Sequence, residues 1–259
     1  MKICLDAGHG AGYNPSPADP AYREGDQMFA LQRWLKGALE ERGVTVVTTR
    51  RRVEDDPDLL QRGAMARGCD LLLSLHSNAA GNEVNDTVDY VAVFHPVSGA
   101  HRELARSLSE VIAALMGTRQ LPQSLVRWNS ARNADYYGIL RYSAAAGTPA
   151  LLLEHSFHTH PEMTRWLLVE ENLRRLAEAE AAVIAEYFGL EETEMRYELL
   201  KDITSPDYRP TVEKLLRLGI LRGRSGSGED TVLDLGEDAV RLLVLLDRAG
   251  VFGTAGNDA

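Results

Sequence analysis

Four side chains of the kinds that metal-assisted hydrolysis requires, His9, Glu24, His76 and Glu154, stand at the ends of apolar or helix-opening stretches. The run 3–5 leads through Asp6 into a Gly-His-Gly turn, CDLLLSLH (69–76) ends in His76, and the short run 150–153 ends in Glu154. Glu24 closes a loop rich in Gly, Pro, Asn and Asp (11–23) and opens a helical pattern. Two imidazoles and one carboxylate around an open fourth position make a catalytic zinc set, and a second carboxylate nearby can serve water as general base. Taken singly, each residue has a plainer reading. A histidine at a strand end is commonly a hydrogen-bonded loop residue, and an acid in a first helical turn is favoured by the helix dipole. Glu154 differs, because LLLE leaves a carboxylate at the edge of a core, where burial raises its pKa unless a cation compensates.

Residues so far apart in sequence meet only if the fold gathers them, and the pattern of elements supplies a way. Helical spacing of Met28, Leu31, Trp34, Leu35, Ala38 and Leu39 predicts a helix over 25–42, followed by a β-branched strand at 44–48 and a helix at about 57–67. The continuous apolar run at 69–76 suits a parallel strand covered on both faces. Further strands are expected at 88–94 and 150–153, and helices at 100–116 and from 161 to about 188, with Pro161 at the first helical position. The segment 118–137 has weak periodicity and reads as a groove-lining stretch. The expected fold is α/β: a twisted, mostly parallel sheet flanked by helices on both faces, plus a small helical C-terminal domain. Strands of a parallel sheet share one carboxyl edge, so His9, His76 and Glu154 can converge there.

Composition narrows the partners. The chain has 259 residues, is 44% hydrophobic and carries a formal net charge of -10. Nucleic acid is excluded as a partner by the acidic balance and the lack of a basic stripe. No apolar run reaches membrane-spanning length, so no membrane insertion is expected, and no charged segment followed by a long apolar one marks a signal peptide. The expectation is synthesis in the cytoplasm and action on the cell wall after release. Cys4 and Cys69 sit in or beside strand-like runs and are expected to be reduced and buried. A Gly189-Leu190 stop followed by Glu191, Glu192 and Glu194 reads as a linker and the composition changes from Tyr197, giving an expected division into a catalytic domain (1–190), a linker (191–196) and an accessory domain (197–259) with helices at 209–218 and 237–247.

Five motifs in order, LDAGHG (5–10), Glu24 at a helix start, GVTVVTTR (43–50), LLLSLHSNAA (71–80) and TPALLLEHSF (148–157), resemble the zinc-dependent N-acetylmuramoyl-L-alanine amidases of the type-3 family. The resemblance covers residues 1–190. It implies that His9, Glu24 and His76 hold one Zn2+ ion and that Glu154 is the catalytic carboxylate. It places Arg50 in a structural or orienting role and Asp6 as support for His9 from behind. The substrate it implies is peptidoglycan, cut at the amide between N-acetylmuramic acid and L-alanine, as in an endolysin or autolysin. Competing readings are a catalytically silent wall-binding protein of the same fold and a zinc peptidase cutting within the stem peptide. Asn78, Trp128, Tyr136 and Tyr137 are the candidate substrate contacts, the aromatic rings being equally at home in a core.

The sequence departs from the family after Glu154, where Ser156 and His160 replace a usual Gly and Asn and where His155 and His158 crowd the same stretch. These three histidines, with His95 and His101, are expected to be loop, capping or solvent-facing residues. The tail motifs at 210–221 and 233–250 resemble helical modules appended to cell-wall hydrolases. They suggest wall binding, packing on the amidase domain, or a homodimer through Val240, Leu243, Val244 and Leu246.

Overall fold

Leucine-rich runs flanked by polar tips become the centre of the large sheet. The structure, a computed structural model, describes residues 1–190 and 196–253. It divides into two compact units, Met1–Glu192 and Thr193–Ala259.

In the first unit the strands are β1 (Lys2–Ala7), β2 (Thr45–Thr48), β3 (Leu71–Asn78), β4 (Ala92–Phe94), β5 (Gln123–Leu125) and β6 (Ala150–Phe157), in the spatial order β2-β1-β3-β6-β4-β5. Strands β2, β1, β3 and β6 are mutually parallel, β4 runs antiparallel to β6, and β5 runs with β4. Six helices cover the sheet: α1 (Glu24–Glu41), α2 (Leu59–Met65), α3 (Arg102–Met116), α4 (Gly138–Ala145), α5 (Pro161–Leu168) and α6 (Glu170–Tyr187). Because side chains alternate along a strand, each parallel strand feeds two cores. Ile3, Leu5, Leu71, Leu73, Leu75, Leu151 and Leu153 meet Met28, Leu31 and Leu35 of α1, Leu104 and Leu108 of α3, and Leu173 and Leu176 of α6. On the other face Cys4, Leu72, Ala150 and Leu152 meet Ala66, beyond α2, and Ile139 and Leu140 of α4. Each fully buried leucine contributes roughly 1.5–3 kcal/mol relative to exposure. This two-sided burial explains why the central strands read as unbroken apolar runs and not as alternating ones.

Three details differ from the sequence expectation, and the cysteines agree with it. Strands β3 and β6 do not stop at His76 and Glu154 but continue to Asn78 and Phe157 through a bulge, with His76 opposite Glu154 and Asn78 opposite Phe157. Apolar content marks only the part of a strand that lies over the core, and here the strands outrun it. The segment 118–137 contains β5, a short edge strand, and the helix α4 follows with only Ile139, Leu140 and Ser143 buried, too few to give a periodic signal. The long helix expected from 161 divides at Val169, whose backbone is extended (φ -86°, ψ 114°). Cys4 and Cys69 are free and buried, and burial pushes both thiols up, which leaves them unreactive.

The second unit has the two expected helices, α7 (Arg209–Arg217) and α8 (Glu237–Arg248), and adds an antiparallel pair, β7 (Arg196–Leu199) and β8 (Val232–Gly236). Tyr197, Leu200, Ile203, Val212, Leu233 and Val240 form its core. Val240, in this core, and Val244 are buried at 0% and 4% exposure and so do not form a dimer surface, while Leu243 and Leu246 are half-buried; the exposed large apolar residues of α8 are Leu242 and Leu245. Apart from Arg196, which opens β7, the linker expected over 191–196 lies outside the described residues. No helix among the described residues is long and apolar enough to cross a membrane.

Candidate active site

The carboxyl edge of the sheet is assembled by close approach of backbone. Gly8 extends the β1–β3 ladder by one bond, its N–H donating to Leu75 O at 2.9 Å. A Cβ at Gly8 would lie 2.2 Å from Cε1 of His76, so only glycine lets that ring pack against the strand tip. His9 then turns outward with φ +60°, a left-handed conformation costing a non-glycine residue roughly 1–3 kcal/mol. The first turn of α1 presses on this same loop, since a Cβ at Gly25 would stand 1.8 Å from Gly10 O. That contact carries Glu24 to the tip of β1.

One donor atom from each of His9, Glu24 and His76 lies within 4.8 Å of the other two. Glu24 Oε1 is 3.4 Å from His9 Nε2 and 3.0 Å from His76 Nδ1, and the two rings meet edge to face with centroids 4.9 Å apart. The Ser77 N–H donates to Glu24 Oε1 at 3.0 Å, and the Asn14 amide donates to Glu24 Oε2 at 2.8 Å while contacting His9 Nε2 at 3.0 Å. Glu154 neighbours His76 across the β3–β6 ladder; it is 9% exposed, and its Oε2 has no hydrogen-bond partner among the described residues.

Electrostatics separates the two carboxylates. Burial alone would raise Glu24, but the hydrogen bonds and charges of His76 and His9 outweigh it and hold its carboxyl well below the usual range. Burial draws His9 down, and Glu24 more than reverses this, leaving the imidazole above its ordinary 6.5. Glu154 has no cation beside it, so burial and the Glu24 charge push it well above 4.5. Two nearby acids are thus set apart, one built to stay ionised and one to exchange a proton.

The donor set suits one zinc ion. Two nitrogens and a carboxylate are its usual catalytic ligands, and a separation of 4.8 Å closes with small side-chain rotations around an ion about 2.0–2.2 Å from each. The Asn14 amide contacts two of those donor atoms.

Asp6 makes no direct bond to the His9 ring. It accepts from Thr49 (2.6 Å), Ser74 (2.7 Å) and Arg62 (2.8 Å), and Arg62 also donates to His9 O at 2.8 Å. Burial would raise Asp6, but the Arg62 charge and these bonds bring it down. Arg50 is fully buried over Phe29 and donates to Gly25 O at 2.7 Å, bracing the first turn of α1. Asn78 sits at the end of β3 with its side chain accepting from Ala79 N. Trp128 and Tyr136 are exposed, Arg127 stacks 3.7 Å over Tyr136, and Tyr137 packs on Phe94 near enough to Glu154 to feel its charge.

The histidines after Glu154 correct the sequence expectation in two places. His155 lies within β6 and is fully buried, and His158 is 5% exposed, stacked on Tyr22 with Nδ1 donating to Ser77 O at 3.0 Å. Both find partners distant in sequence, which local pattern does not reveal. His160 caps α5 by accepting from Glu162 N, His95 is buried beside Pro96 O, and His101 precedes α3. Sequence reasoning missed Asn14, Arg62 and Gly8. Only the last left a signal, in the Gly-His-Gly turn.

Residues 3–186 match the model of a protein family described as N-acetylmuramoyl-L-alanine amidase. No curated protein sequence matches the chain. Among solved structures, Cwp6 from Clostridium difficile is similar with a TM-score of 0.61 at 20% identity over 71% of this chain, which spans 29% of the length of Cwp6. An N-acetylmuramoyl-L-alanine amidase from Clostridium difficile 630 gives 0.62 at 22% identity, covering 73% of this chain and 97% of that one. The N-acetylmuramoyl-L-alanine amidase AmiC2 of Nostoc punctiforme gives 0.61 at 23%, again over 73% and 97%. At these identities the likeness shows the α/β fold.

Proposed function

This chain belongs to the N-acetylmuramoyl-L-alanine amidase family, and from that premise we propose that His9, Glu24 and His76 hold one zinc ion and that Glu154 is the proton carrier. The reaction is hydrolysis of the amide joining the lactyl group of N-acetylmuramic acid to L-alanine in peptidoglycan. When bound, the ion supplies Lewis acidity toward water and toward the scissile carbonyl. The chain's own residues do the rest. Glu24, kept ionised, offers the carboxylate ligand, while Ser77 N–H fixes its orientation. Glu154 accepts a proton from water as it adds to the carbonyl carbon, then donates it to the nitrogen as the C–N bond breaks, leaving a lactyl carboxyl group and a free L-alanine amine. Its raised pKa suits both halves of that transfer. The Glu154 position, in ladder register with His76, is the observation that carries this reading.

The division into a catalytic portion (1–190) and an accessory portion (197–259), with action on the wall after release, is part of the same proposal. Purified wall should release new L-alanine amines with wild type, lose that release on chelation and regain it with zinc. Equal release by wild type and Glu154→Ala would defeat the reading. Fragments retaining the muramoyl–alanine bond would instead identify a peptidase acting within the stem.

A further inference from the structure

His155 and Glu180 are the one fully buried imidazole–carboxylate pair among the described residues that lies outside the candidate ligand cluster, both at 0% exposure and 2.7 Å apart from Nε2 to Oε1. His155 follows Glu154 in β6, and alternation points it to the opposite face, among Leu153 and the α6 residues Leu176, Ala177 and Ala181. Its other nitrogen, Nδ1, lies 2.9 Å from the backbone oxygen of His76. A carbonyl can only accept, so Nδ1 carries a proton and donates it. Hydrophobic residues of similar volume would hold that position at least as stably as a buried polar pair. Stability alone therefore does not account for it.

The pair stands where the β3–β6 ladder slips. Two residues of β6, His155 and Ser156, span the interval that Ser77 alone spans on β3, and Ser156 adopts φ +58° with its hydroxyl bonded to Asp89 O at 2.8 Å. Bulges re-aim side chains. This one lies directly after a proposed zinc ligand and the proposed proton carrier, and the His155 N–H ties the ligand's own backbone across it.

We propose that Glu180 and His155 are positioning residues for the metal site: Glu180 fixes the His155 ring, and the ring holds the His76 backbone so that its imidazole reaches the same ion as His9 and Glu24. The inference rests on the zinc reading above. Partners of this kind typically alter metal affinity by about 10- to 100-fold.

Zinc affinity of the full chain, measured by competition with a chromophoric chelator, separates the possibilities, with thermal melting read in parallel. Glu180→Gln keeps a hydrogen-bonding partner at Nε2 and should bind zinc within about twofold of wild type. His155→Gln retains a polar group for Glu180 but withdraws the donor to His76 O, and should lose about tenfold. Leu176→Ala, which removes buried volume from the same helix face, should lower the melting temperature and leave zinc affinity unchanged. Equal affinity in wild type and His155→Gln, or an equal loss in Leu176→Ala, would overturn the positioning role. A wild type that fails to bind zinc would instead overturn the reading beneath it.

Discussion

Around the carboxyl edge of the large sheet, Asp6, Glu24, Glu154 and Glu180 are each 9% exposed or less, and three of the four are held by imidazole or guanidinium groups. In the C-terminal unit most of the pairs lie on open surface, as with Lys201–Asp230 at 51% and 73% exposure and Arg209–Glu229 at 26% and 63%, and the more covered Lys214–Asp247 still reaches solvent at 23% and 15%. Surface pairs are screened and contribute little, whereas a buried charge is costly unless its surroundings compensate. The first region accepts that cost for four carboxylates, two on strands of the sheet (Asp6, Glu154) and two on the helices packed against it (Glu24, Glu180). It does so where the pKa values of Glu24 and Glu154 are driven in opposite directions, which is the arrangement acid–base chemistry uses. The second region keeps its charges where water screens them.

The largest expected effect sharpens that contrast. Glu154→Gln should lower hydrolysis by about 10²–10⁴-fold while zinc affinity stays near wild type, since the proposed role of the group is to carry protons and not to ligate. Parallel loss of both in activity and titration assays would make Glu154 a ligand instead.

Next comes Gly8→Ala, which touches no charge at all. The added methyl would occupy the place of the His76 ring, so zinc affinity should fall by at least the about tenfold associated with disturbed outer-shell support. An unchanged affinity by chelator competition would show that His76 is free to move and is not held by the strand tip.

Dependence on pH should run in opposite directions with and without metal. In the metal-free chain the raised His9 adds stability that is fully present below 6.5 and is lost as pH rises through its folded value. Glu154, raised as well, also withdraws stability as pH rises and it ionises. Glu24 is depressed, so its contribution is present above 4.5 and is lost only as pH falls through its folded value. Zinc needs the neutral ring of His9, so its affinity should strengthen as pH rises through the same range. Denaturation of the metal-free chain and zinc titration across pH 5 to 8, roughly the span of histidine chemistry, would reveal the opposed slopes. Slopes of one sign would detach His9 from the site.

The smallest effect belongs to the second region. Lys201→Ala and Arg241→Ala remove exposed partners, and calorimetry should find a melting temperature indistinguishable from wild type. A clear drop in either would mean that the surface network, and not the small core around Val212 and Val240, holds that unit together.

What was legible in the sequence follows the same division. Leu71 to Leu75 and Leu151 to Leu153 announce buried parallel strands because both faces are covered, and their polar tips mark where the sheet meets solvent. Position along a strand then places His76 and Glu154 on one edge. Contacts that depend on distant partners stayed hidden. His155 reads as a loop histidine until Glu180, on a helix, and His76 O, on another strand, are seen around it. Arg62 reads as an ordinary helix-surface cation until Asp6 and His9 O take its guanidinium. Helix α4 buries too little to show a period, and the strand pair of the C-terminal unit is built from four- and five-residue strands.

The central claim is most directly tested by diffraction from crystals of the zinc-loaded chain, with anomalous differences measured on both sides of the zinc absorption edge. One peak is expected about 2.0–2.2 Å from donor atoms of His9, Glu24 and His76, with the Asn14 amide withdrawn from them and Glu154 near but not ligating. A zinc peak elsewhere, or one at this edge that omits Glu24 and takes Glu154 in its place, would contradict the account.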